Sequence, residues 1–131
     1  TKAIQQYKRV IALDKEHFVA YNNLAWLLKE SSPKEALAYS ERAYKINPES
    51  LHVLDTMALV LGKNGDYNRA KRTIDRVLYR APDNLTFKYH SALIDADAGH
   101  KESAKRILAG LVDFDFPEKN AANDLLKTIS Q

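Results

Sequence analysis

Between Leu51 and Asn84 the apolar residues recur with a helical period, lapse, and resume. Leu54, Met57, Ala58 and Leu61 follow one another at spacings of three, one and three, which puts them on a single helix face that has to be buried. Gly62, Lys63, Asn64 and Gly65 interrupt the pattern. A glycine relieves the left-handed backbone that closes a helix, and Asp66 is suited to cap the next one. A second face follows in Ala70, Ile74, Val77 and Leu78 and stops before Pro82. The stretch predicts two amphipathic helices joined by a tight turn, and one such hairpin has too small a core to fold alone.

Shifted by 34 residues, the hairpin finds itself again: Pro82 falls on Pro48, Ala70 on Ala36 and Val77 on Ala43. In the other direction Ala58 falls on Ala92, Gly65 on Gly99, Ala70 on Ala104, Ile74 on Leu108 and Val77 on Leu111. A helix-turn-helix period of 34 with small residues at fixed offsets and a closing proline resembles the tetratricopeptide repeat. In that family the small residues sit where two helices cross closely. The resemblance assigns that place to Ala25, Ala58 and Ala92 in the first helices and to Ala36, Ala70 and Ala104 in the second. It implies an all-α fold, a right-handed superhelix of about eight antiparallel-paired helices forming one α-solenoid.

On this register the chain is a single repeat domain, 1–131, that starts in mid-repeat. Residues 1–17 are the second helix of an incomplete repeat, since Ala3, Tyr7, Val10 and Leu13 each lie 33 before Ala36, Ser40, Ala43 and Ile46. Such a start suggests a piece of a longer array that would cover Ile4, Tyr7 and Ile11. Residues 18–50, 51–84 and 85–117 are three repeats, and 118–131 is a closing helix with Ala121, Leu125, Leu126 and Ile129 on its stripe. In the first repeat Ser32 and Glu35 have the spacing of a capping box, and Pro33 takes the first helical position. In the third, Lys88 and Asp95 replace the apolar or aromatic residues of earlier repeats, as expected where a solenoid surface has no further neighbour.

A chain of 131 residues with 45% hydrophobic and 28% charged content suits one domain with a continuous core. It has no cysteine, which removes disulfides and thiolate zinc sites and leaves the compartment open. No apolar run approaches the roughly 18 residues that a membrane span needs, and no signal-peptide pattern is present.

Reactive groups do not converge. His17, His52, His90 and His100 form no pair at metal-ligand spacing. Asp95 with Asp97, and Asp113 with Asp115, are two apart and diverge, so they read as caps or solvated charges. Ser91 beside His90 occupies a packing position. No catalytic residue, cofactor or metal ligand is expected, and the chain reads as a non-enzyme.

The resemblance instead implies a concave groove walled by the first helix of each pair, to which a peptide or protein partner binds. Its wall takes Asn22, Asn23, Trp26 and Lys29 from the first repeat, His52, Asp55, Thr56 and Leu59 from the second, and Thr86, Tyr89, His90 and Leu93 from the third. Trp26 is either an anchor for the partner, with Asn22 and Asn23 bonding its backbone, or a packing residue against the preceding helix. One subtype of the family grips the carboxylate tails of chaperones with lysines, asparagines and an arginine. The aligned residues here, Asn22, Trp26, Thr56, Thr86 and His90, do not match, so a chaperone tail is not the expected ligand.

A second surface is the stripe Arg69, Arg72, Arg76 and Arg80, with Lys71 nearby and Asp75 interrupting it. With a net charge of +3 and a pI near 9.0 it would suit an anionic polymer, polysaccharide or nucleic acid. It is not continued at Ser103, Gly110 or Phe114, so the plainer reading is a solvated outer face with no nucleic acid bound. A structural spacer or self-associating segment of a longer array is the other alternative. More narrowly, NNLAWLL, ALAYSERAYKINPE, VLDTMALVL, GDYNRAKRTIDRVL and FPEKNAANDLL resemble the last repeats of large bacterial proteins such as the lipoproteins encoded with exosortase and exopolysaccharide systems. That likeness implies a scaffold in the periplasm or envelope; without it a cytoplasmic scaffold is expected.

Overall fold

Eight helices account for nearly all of the chain in the computed structural model, which describes residues 1–131 and contains no strand. They are α1 (Lys2–Leu13), α2 (Phe18–Leu28), α3 (Pro33–Ile46), α4 (Leu51–Lys63), α5 (Tyr67–Arg80), α6 (Leu85–Asp97), α7 (Lys101–Ala109) and α8 (Lys119–Ile129). Every helix packs on its successor, and in addition α2 lies against α4 and α4 against α6. The first helices thus form a continuous inner wall while α3, α5 and α7 back it from outside, the layering of an α-solenoid.

The crossings are made by alanine. Ala25, Ala36, Ala58, Ala70, Ala92 and Ala104 are all fully buried, because two backbones that approach this closely leave no room beyond a methyl group. Between them the core falls into three successive clusters around Leu24 and Leu28, around Leu54, Leu61, Ile74 and Val77, and around Leu108, Leu111 and Ile129. α1 has no buried residue; its Ile4, Tyr7 and Ile11 rest half-covered on the first cluster.

Starts and stops follow local chemistry. Ser50, Asp66 and Asn84 each accept the backbone N–H of the third residue of the following helix, at Val53, Arg69 and Phe87. Gly65 and Gly99 close α4 and α6 at φ of 80° and 85°.

Three local expectations fail. Pro33 opens α3 as expected, but Ser32 makes no capping bond; Glu35 is drawn to Lys8 on α1 at 3.3 Å and to the Tyr39 hydroxyl at 3.4 Å. On α8 it is Ala122, not Ala121, that is buried, beside Leu125, Leu126 and Ile129. The third concerns Asp95, which is neither an uncovered end residue nor a solvated charge. It is 2% exposed, and its carboxylate accepts from Lys71 Nζ at 3.0 Å and from the Ser103 hydroxyl at 2.7 Å. Lys71 also donates to the hydroxyl of buried Ser91 at 2.7 Å. The charge is tolerated inside because α5 and α7 bring its partners to it. Lys88 is half-buried.

Candidate functional site

The inner wall begins from three aligned helix starts. His17, Ser50 and Asn84 cap α2, α4 and α6 one period apart, each through a side-chain acceptor, so equivalent positions on the three helices lie at the same level. Two recesses open on this wall. One, of about 740 Å³, lies toward the helix starts and is bordered by Asn22, Asn23, His52, Asp55, Thr56 and Thr86. The other, of about 350 Å³, lies toward the helix ends and is bordered by Lys29, Leu59, Tyr89 and Leu93. Trp26, His90 and Glu118 border both. Each wall position expected from the register therefore borders one or the other of two recesses that share three residues.

They do not all face solvent. Asp55, Thr56, Leu59, Tyr89 and His90 are at most 9% exposed and make the floor. His90 Nδ1 lies 2.8 and 3.0 Å from the two Asp55 carboxylate oxygens, so the proton of that nitrogen points at the carboxylate and Nε2 is left facing away from it. No hydrogen bond within the chain engages Nε2. His52, by contrast, is exposed and sets its ring edge-on to Phe87 at 6.3 Å.

Trp26 is 39% exposed, with its ring centroid 5.9 Å from that of His90, so it leans across the groove toward α6 rather than back toward α1. Lys29 Nζ sits over the indole at 3.7 Å and donates to the Trp26 carbonyl at 3.3 Å. Burial holds the Lys29 amine below its ordinary pKa, with Glu30 opposing the shift and Lys63 adding to it. Burial alone would also lower Lys63, but Asp97 and then Glu30, bridged at 3.7 and 3.3 Å, raise it above the ordinary value. Tyr89 is raised by burial first and then by the charge of Glu118.

Glu118 was not expected from the register reading, although the signal exists: it lies 34 residues after Asn84, at the start of the next helix. It accepts the Thr86 hydroxyl at 2.8 Å and caps no amide.

The arginine stripe lies on the opposite, outer side. Arg72 and Arg76 share a recess of about 650 Å³ between α3 and α5 with Tyr44, Tyr79, Glu41 and Asp75. The stripe's ends are engaged within the chain, Arg69 with Asp66 at 3.5 Å and Arg80 with the Glu49 carbonyl at 2.7 Å. No helix is long and apolar enough to cross a membrane.

Among known proteins, the family model for the tetratricopeptide repeat matches residues 27–93. No curated protein matches the chain significantly. Among solved structures, a tetratricopeptide repeat protein from Parabacteroides merdae ATCC 43184 superposes with a TM-score of 0.82 at 14% identity, over 97% of this chain and 51% of that one. The chain spans about half the length of that neighbour, and the likeness is one of fold. With about half of the residues on the family model and almost the whole helical path shared with a member's structure, the chain belongs to the tetratricopeptide repeat family.

Proposed function

We propose that the chain is a non-catalytic scaffold that captures a peptide segment of a partner protein in the concave groove, with Trp26 as the anchor. The observation that carries this reading is the half-exposed indole placed between two recesses over a buried floor. Large rigid aromatic side chains with an apolar face and a polar edge are the ones that dominate binding energy at interfaces. Asn22, Asn23 and His52 stand beside it as adaptable polar contacts. The narrower likeness to exopolysaccharide-system proteins supports a search for that partner among envelope proteins of polymer export.

The test is selection from a displayed peptide library on the parent chain, with Trp26→Ala as the counter-screen. Loss of at least about 2 kcal/mol of binding, the level of a hot spot, is expected on truncation. The thermal melt should stay cooperative. A variant that still captures the selected peptides, or that fails to fold, sinks the anchor. Sedimentation over a concentration series separates the spacer alternative, since a self-associating segment gains mass where a monomeric binder does not.

A further inference from the structure

The two recesses are bordered by four carboxylates, Glu30, Asp55, Asp97 and Glu118, and by two lysines, Lys29 and Lys63, on a chain whose net charge is +3. The groove is acidic on an otherwise basic molecule. Its charges are also unevenly matched. Asp55 is bonded to His90, and Glu30 and Asp97 share Lys63. Glu118 meets no cation, only the Thr86 hydroxyl, and Lys29 meets no carboxylate, only the indole and the Trp26 carbonyl.

Three groups border both recesses, so anything that spans the groove passes all of them. They are the π-face of Trp26, the free Nε2 of His90 and the unbridged carboxylate of Glu118. With its Nδ1 directed at Asp55, the His90 ring has Nε2 left for a ligand, an acceptor in the neutral tautomer. An aromatic face, a nitrogen acceptor and a carboxylate all favour a cation that carries N–H donors. The ring already holds one such cation: Lys29 lies over it, in surroundings that lower the amine's pKa by burial, so displacement returns this ammonium to water.

From this, and resting on the groove reading above, we infer that the groove is selective for a basic peptide, whose arginine side chain displaces Lys29 from the Trp26 ring and pairs with Glu118. Arginine is favoured over lysine because its planar group stacks on an indole while bonding a carboxylate at its edge. Apolar residues on either side of it meet Leu59, Tyr89 and Leu93.

Trp26 is the one tryptophan of the chain, so its emission reports occupancy directly. The probes are blocked peptides with the sequence Ser-Ala-Leu-Arg-Leu-Ala-Ser and counterparts with citrulline or glutamate at the centre. The arginine peptide should bind about tenfold more tightly than its neutral citrulline isostere, the scale of one partly desolvated cation–π and ion-pair contact. Glu118→Gln should cut that preference to about threefold, the share of the cation–π contact, and leave citrulline binding unchanged, while Lys29→Met should tighten arginine binding severalfold. Glu118→Gln should melt as the parent does, since the Glu118 side chain caps no helix, and Lys29→Met should melt close to it, because the exposed bond it gives up to the Trp26 carbonyl is replaced by water. Equal or tighter binding of the citrulline or glutamate peptide overturns the basic selectivity and leaves the groove standing. Peptides that bind without moving Trp26 emission, or no binding by any of them, overturn both readings.

Discussion

Lys71→Leu should destabilise the protein, and adding Asp95→Leu should restore it. The Asp95 side chain is 4% exposed and that of Lys71 34%, so removing the amine leaves the carboxylate with the Ser103 hydroxyl as its one side-chain hydrogen bond and the exposed His100 ring 4.0 Å away. Breaking a fully buried pair in this way costs about 3–5 kcal/mol, and with one partner a third exposed we expect about 2 kcal/mol. The chain itself supplies the apolar alternative. One period earlier the two positions are Leu37 and Leu61, packed in one cluster with Leu61 1% exposed. Replacing a buried pair by such residues is neutral or favourable by about 1–4 kcal/mol. Against this, the hydroxyls of Ser91 and Ser103 lose a partner at about 1 kcal/mol each, reduced where they turn back to a carbonyl of their own helix. The double variant should therefore lie within about 1 kcal/mol of the parent. Urea unfolding with an unchanged m-value reads both numbers. If Lys71→Leu lies within about 0.5 kcal/mol of the parent, or the double variant is less stable than the single, the pair does not act as a buried unit.

Two further outcomes are expected. Gly65→Ala meets no atom within 4 Å of the added methyl, so its cost is that of a φ of 80° alone, about 1 kcal/mol, read as a lowered melting temperature. Above about pH 10 stability should fall, because Tyr89, Tyr39 and Lys63 are raised from ordinary values of 10.0, 10.0 and 10.5, and the unfolded chain loses these protons first. Lys29, which is lowered, works in the opposite direction, and Tyr89→Phe with Tyr39→Phe should flatten the decline in denaturation midpoints measured from pH 9 to 11.

What could be read from the sequence was whatever repeats. The alanines at the crossings, the glycine at φ of 85° in the third hairpin and the line of wall residues all follow from one register, because each depends on contacts that recur every period. What escaped was whatever depends on a single non-repeating contact. Ser32 and Glu35 have the spacing of a cap, but Lys8 lies within reach of the glutamate from a helix 27 residues earlier in the chain, and spacing carries no trace of it. Asp95 looked like a charge left at an open end because its period mates are leucines. Its partners come from α5 and α7, at separations of 24 and 8 residues that no periodic pattern encodes. Glu118 is hidden differently: the register reaches it from Asn84, but the wall read from the sequence ends with the third repeat, and 118–131 reads as a closing helix.

These exceptions gather on one helix. α6 is joined by directional polar contacts to every neighbour it has: through His90 to Asp55 on α4, through Asp95 and Ser91 to Lys71 on α5, through Asp95 to Ser103 on α7, and through Thr86 to Glu118 at the start of α8. The contacts of α2 with α4 are of the other kind, Leu24, Ala25 and Leu28 against Val60. Apolar contact is non-directional and tolerates small slides, whereas a carboxylate held by an ammonium and a hydroxyl permits one arrangement. The groove thus has one side of fixed register, carrying Tyr89, His90 and Leu93, and a facing side at Trp26 held by packing, with one exposed bridge from Glu30 to Lys63 at its end. Any widening of the groove to admit a ligand would then be taken up on the α2 side, where moving the indole and Lys29 breaks no buried ion pair.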